Sequence, residues 1–159
     1  MMSEENNPQN INLEQRLTEL AQHSKTLELY LNEIIGREVT VTKLIEEARL
    51  ASHALQTIPP GKENEALMPI GIGVFIKTNI ASSDTLLVNV GAGVTVEKTR
   101  EDTLNYIESR IKEFEIAFNQ LITQKKQLTS QLEQIQIQAN TMLQQASSNQ
   151  NQNRNIKSN

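Results

Sequence analysis

Apolar residues recur at alternating spacings of three and four over two long stretches of this chain. With Leu13 as position d of a seven-residue repeat, the d series is Leu13, Leu20, Leu27, Ile34, Val41, Ala48 and Leu55, apolar throughout. The a series of that stretch is Leu17, Ser24, Leu31, Glu38, Ile45 and Ser52, and half of it is polar. In the second stretch the a series is Leu104, Ile111, Phe118, Lys125, Leu132, Ala139 and Ala146. Its d series is Ile107, Phe114, Leu121, Leu128, Ile135 and Met142, so Lys125 alone interrupts the pattern. An apolar period of ~3.5 residues marks a coiled-coil seam. Two matched stretches of roughly 45 residues, joined through a middle segment, predict an antiparallel helical arm ~65 Å long.

The ends of these helices carry local signals. Asn12 can cap the first, with Gln15 at capping-box spacing. Pro59-Pro60-Gly61 ends it, because proline lacks an amide hydrogen and restricts the residue before it. Gly36 lies inside and costs ~1 kcal/mol relative to alanine. Thr99 caps the second helix, and Asp102 sits near its positive end.

The middle segment has strand periodicity. Gly73–Ile80 places Val74, Ile76, Thr78 and Ile80 on one face, and Thr85–Val90 alternates Leu86, Val88 and Val90. Leu67–Ile70 and Val94–Lys98 complete four strands, hence two hairpins. Ala81-Ser82-Ser83-Asp84 and Gly91-Ala92-Gly93 have turn chemistry. Phe75 and Leu87 make the opposite faces apolar as well. A lone hairpin is marginal in water and its open edges invite pairing. With no third long helix to cover it, this segment is expected to close a barrel with strands from other chains. The candidate assembly residues are Val74, Ile76, Ile80, Leu86, Val88, Val90, Val94 and Val96. The fold class is therefore α+β: a long antiparallel coiled-coil hairpin, two β-hairpins between its helices, and an inter-subunit barrel. The expected layout is a flexible N-terminus (1–11), a first coiled-coil helix (12–58), a β-hairpin assembly segment (59–98), a second helix (99–146) and a disordered Asn/Gln-rich tail (147–159).

Composition sharpens this picture. The 159 residues include only two Tyr, three Phe and no Trp, fewer large rings than a compact core of this length would use. Cysteine is absent, which excludes disulfides and thiolate metal sites. The net charge is −4 and the basic residues are scattered among carboxylates, unlike a nucleic-acid interface. The polar start has no signal-peptide core, and no apolar run approaches the ~20 residues that span a bilayer, so a cytoplasmic protein is expected. His23 and His53 lack partners at ligand spacing. Gly71/Gly73 and Gly91/Gly93 lack the helix that follows a dinucleotide-binding fingerprint. No catalytic constellation is evident, so neither enzyme activity nor a cofactor is expected.

The middle segment also carries a family likeness. Pro69-Ile70-Gly71-Ile72-Gly73-Val74-Phe75-Ile76-Lys77, then Leu86-Leu87-Val88-Asn89-Val90-Gly91-Ala92-Gly93-Val94-Thr95-Val96-Glu97-Lys98, resemble the α-type subunits of archaeal prefoldin. Two hairpins between the helices fit the α-type, since the β-type has one. The resemblance spans about residues 13–146. It implies an ATP-independent co-chaperone without a cofactor, built as a hexamer of two α-type and four β-type subunits. Unfolded clients would be held between the distal arm tips and passed to a group II chaperonin.

In an antiparallel arm the tip contains both chain ends. The candidate client-binding residues are Ile11, Leu13, Leu17 and Leu20 on one helix, with Leu132, Ile135, Ile137, Met142 and Leu143 on the other. Ile137 and Leu143 fall outside the seam and are expected to be exposed. Leu13, Leu17, Leu132 and Ile135 can equally close the coiled coil. Glu38 and Lys125 fall about one turn apart across the arm, either as a polar pair that fixes register or with both side chains reaching water. The alternatives are a structural coiled-coil scaffold and a prefoldin-like subunit of another assembly.

Overall fold

The computed structural model describes residues 8–81 and 85–156, with side chains for 11–81 and 85–148. The order is α1 (Pro8–Thr57), β1 (Asn64–Gly71), β2 (Val74–Ile80), β3 (Thr85–Gly91), β4 (Val94–Thr99) and α2 (Arg100–Ile156). This is an α+β chain with two long helices and two small antiparallel hairpins between them in sequence. Its contacts form two compact units. The terminal unit pairs α1 up to Val39 with α2 from Asn119 onward, and the hairpin unit spans Thr40–Phe118.

In the terminal unit the helices run antiparallel. Glu38 meets Lys125, Leu20 and Ser24 lie beside Leu132 and Ile135, and Leu13 lies beside Met142. Leu27, Leu121 and Ile135 are buried, and the other a and d residues with described side chains are half-buried. α1 starts at Pro8, so Asn12 lies inside the helix and does not cap it. Proline suits the first turn, where its missing N–H would have no partner anyway. α2 continues past Ala146 to Ile156, through residues expected to be disordered. Neither proline nor glycine occurs there to break it.

The hairpin unit packs the remaining stretches of both helices around Ile45, with Arg49 paired to Glu115 at 2.9 Å. The Arg100 guanidinium donates to the carbonyls of Leu55 and Ile58, the latter at 2.9 Å. Leu55 lies in the last turn of α1, where acceptors have no intrahelical donors, and Ile58 directly follows its end. The Thr99 hydroxyl accepts the Asp102 amide at 3.1 Å and donates to the Asp102 carboxylate at 2.9 Å, capping α2. Thr103 is buried, and its hydroxyl is satisfied by donating to the Thr99 carbonyl at 2.7 Å. The Lys98 ammonium lies 5.9 Å from the centre of the Tyr106 ring and ties β4 to α2.

β1 pairs with β2 and β3 with β4, in separate two-stranded sheets. β2 and β3 are not paired, so Ala81–Asp84 links two hairpins and closes neither; Ser82–Asp84 lie outside the described residues. β1 begins at Asn64, ahead of the expected Leu67. In the first hairpin the register passes from Pro69 opposite Phe75 to Gly71 opposite Val74, leaving Ile70 as a bulge. Ile72 and Gly73 form the turn at φ of 44° and 77°. Two positive φ values give the mirror-image turn that matches strand twist. The second hairpin repeats this, with Asn89 opposite Thr95, Gly91 opposite Val94, and Ala92-Gly93 in the turn. There the Asn89 side-chain oxygen accepts the Gly91 amide at 2.9 Å and pins the bulge.

Candidate binding surfaces

Strand alternation divides the eight candidate assembly residues between the hairpins. Val74, Ile76 and Ile80 share one face of β2 and are exposed. Val88 lies opposite Val96 and Leu86 opposite Lys98, and all four are half-buried. Val90 and Val94, beside the bulge, are exposed. The reverse faces carry apolar groups that alternation on one face does not pick out. Leu67 and Phe75 are exposed on the first hairpin, and Leu87, at 74% exposure, on the second. Met68 and Ile70, in the strand expected at Leu67–Ile70, are exposed as well and stand outside the eight candidates. Each sheet has two strands, so every strand has one edge without a ladder partner among the described residues. Apolar faces and open edges together are what strand-to-strand assembly requires.

The terminal unit separates the nine client-binding candidates. Leu13, Leu17, Leu20, Leu132 and Met142 are half-buried and Ile135 is buried, so these six fill the seam. Ile11, Ile137 and Leu143 are exposed at 42%, 64% and 53%. Two open clefts follow the seam. The first, of about 500 Å³, is lined by Asn12, Leu13, Arg16, Ile137, Gln138, Thr141, Met142 and Gln145. The second, of about 350 Å³, is lined by Leu17, Leu20, Ala21, Ser24, Glu28, Leu132, Ile135, Gln136 and Ala139. Arg16 is a lining residue that the heptad pattern does not single out.

Glu38 and Lys125 form an ion pair, Nζ to Oε2 at 2.6 Å, with both side chains partly shielded. His23 and His53 are exposed, and no metal-binding group of three His, Cys, Asp or Glu side chains occurs among the described residues. No described helix is long and apolar enough to cross a membrane.

Comparison with known proteins identifies the family. The family model for prefoldin subunits matches residues 13–152. Prefoldin subunit alpha of Nitrosopumilus maritimus is 34% identical over 131 residues, covering 82% of this chain and 90% of that protein. Prefoldin subunit alpha of Methanoculleus marisnigri is 33% identical over 119 residues, covering 70% and 79% respectively. Among solved structures, filamentous PFD from Methanocaldococcus jannaschii aligns with a TM-score of 0.62 at 19% identity, over 72% of this chain and 96% of that one. Seam, paired hairpins and family match coincide over the same residues, and the chain belongs to the prefoldin family.

Proposed function

We propose that this chain is an α-type prefoldin subunit that acts as an ATP-independent holdase. In this reading it captures unfolded proteins on the apolar surface of its terminal unit and delivers them to a group II chaperonin in the cytoplasm. Its working form is a hexamer of two α-type and four β-type subunits joined through the hairpins. The observation that carries the capture reading is an open cleft lined by Leu13, Met142 and the exposed Ile137, with Ile11 and Leu143 also exposed on the same unit. Each apolar group contributes ~1–3 kcal/mol when a client buries it. Several arms acting on one client multiply that through effective concentration, so capture needs no nucleotide. Met142 adds an unbranched, polarizable surface that adapts to varied clients. The joining reading is supported by the apolar strand faces and open edges described above.

A structural scaffold is the second reading, favoured by the seam residues Leu13, Leu17, Leu132 and Ile135. Removing residues before Leu20 and after Ile135 separates the two. Holdase action predicts an intact complex with β-type partners that no longer suppresses aggregation of an unfolded test protein. Full suppression by the truncated complex refutes capture at these ends.

A further inference from the structure

The first cleft of the terminal unit combines apolar surface with one formal charge. Leu13, Ile137 and Met142 supply the carbon surface, and among the described residues Arg16 is the one charged residue that lines it. The other arginines with described side chains are engaged. Arg37 pairs with Glu33 at 2.5 Å, Arg49 with Glu115 at 2.9 Å and Arg110 with Glu113 at 2.6 Å. Arg100 is held by two carbonyls. Arg16 has no carboxylate, carbonyl or ring partner among the described residues. Glu14 and Glu19 on its own helix make no ion pair with it, and neither lines the cleft.

A guanidinium presents its donors in a planar fork that fits a carboxylate through two parallel hydrogen bonds. Apolar contacts alone hardly distinguish one client segment from another. An unengaged cation beside those contacts favours segments that bring a carboxylate and disfavours those that bring a second cation.

We propose that this cleft selects client segments in which a carboxylate neighbours large apolar side chains. The apolar groups seat on Leu13, Ile137 and Met142, and the carboxylate pairs with Arg16. The proposal rests on the holdase reading and names the client chemistry of that site. Arg16 is exposed, so substituting it removes no packed group.

The test uses the full chain assembled with a β-type partner and three fluorescent peptides. The peptides share length and apolar content and differ in carrying two Glu, two Gln or two Lys. The Glu peptide is expected to bind about two- to fivefold more tightly than the Gln peptide, with the Lys peptide weakest. This ranking should shrink as salt is raised. Arg16→Gln should erase the ranking and Arg16→Glu should invert it. Equal binding of the three peptides by the wild type, or an unchanged ranking in Arg16→Gln, overturns the proposal and leaves capture standing. A wild-type complex that binds none of the peptides removes the capture reading at this site, and the proposal with it.

Discussion

The Lys125 ammonium donates a hydrogen bond across the seam to Glu38 Oε2 at 2.6 Å. Both residues occupy a positions, where the neighbouring layers are mostly apolar. A charge there is tolerated because its partner is present, and a shifted register would separate the two. Glu38→Ala and Lys125→Ala are each expected to destabilise the arm. A double-mutant cycle in urea at fixed protein concentration should give a coupling of about 0.5–1.5 kcal/mol. Joint replacement by leucine should match or exceed wild-type stability, because well-packed apolar residues commonly replace an ion pair without loss. Zero coupling would leave the pair without a role in register.

Arg100 connects the start of α2 to the carbonyl of Leu55 in the last turn of α1 and to that of Ile58 just past its end. Arg100→Leu keeps much of the side-chain volume and removes both hydrogen bonds. A loss of about 1.5–3 kcal/mol is expected from urea unfolding, since bonds to a charged donor are the stronger kind. Arg100→Lys should recover part of it. Wild-type stability in the leucine variant would mean that water serves those carbonyls equally well.

Ile72 is a fully exposed, β-branched residue at a φ of 44°. An L-residue with a Cβ is strained in that region by roughly 1–2 kcal/mol. Asparagine before Gly73 is the preferred chemistry for this turn. Ile72→Asn should therefore raise the melting temperature of the assembled protein. A fall instead would indicate that the isoleucine side chain makes a favourable contact in the assembly.

Ile76→Lys puts a charge in the middle of an exposed apolar strand face. If that face meets other strands, burial of an unpaired ammonium costs several kcal/mol and the complex with β-type partners should dissociate. Native mass measurement reads the outcome, with circular dichroism checking that the helices persist. A complex of unchanged mass takes this face out of assembly.

The sequence made the seam legible because heptad spacing is a local property. Every a and d residue with a described side chain, from Leu13 to Leu55 and from Leu104 to Ala146, is buried or half-buried. Ile137 and Leu143 are exposed because they fall off that spacing. The start of α1 was less legible, since Pro8 and Asn12 both carry helix-start chemistry and only the formed helix selects between them. The Arg100 clamp joins residues more than forty positions apart, where no periodicity reaches. Arg16 has the same limitation: an arginine in a heptad flank looks like any solvated charge until its neighbours are known to leave it unengaged.

The bulged turn of the first hairpin recurs in the second at a constant offset, with Pro69, Gly71 and Val74 matched by Asn89, Gly91 and Val94. One polypeptide thus carries the same ribbon outline in duplicate, and recognition through main-chain shape alone could not tell the copies apart. At one matched position they differ in sign, because Lys77 opposite Leu67 in one copy becomes Glu97 opposite Leu87 in the other. A neighbour bearing a fixed charge at that point reads them as two distinct addresses.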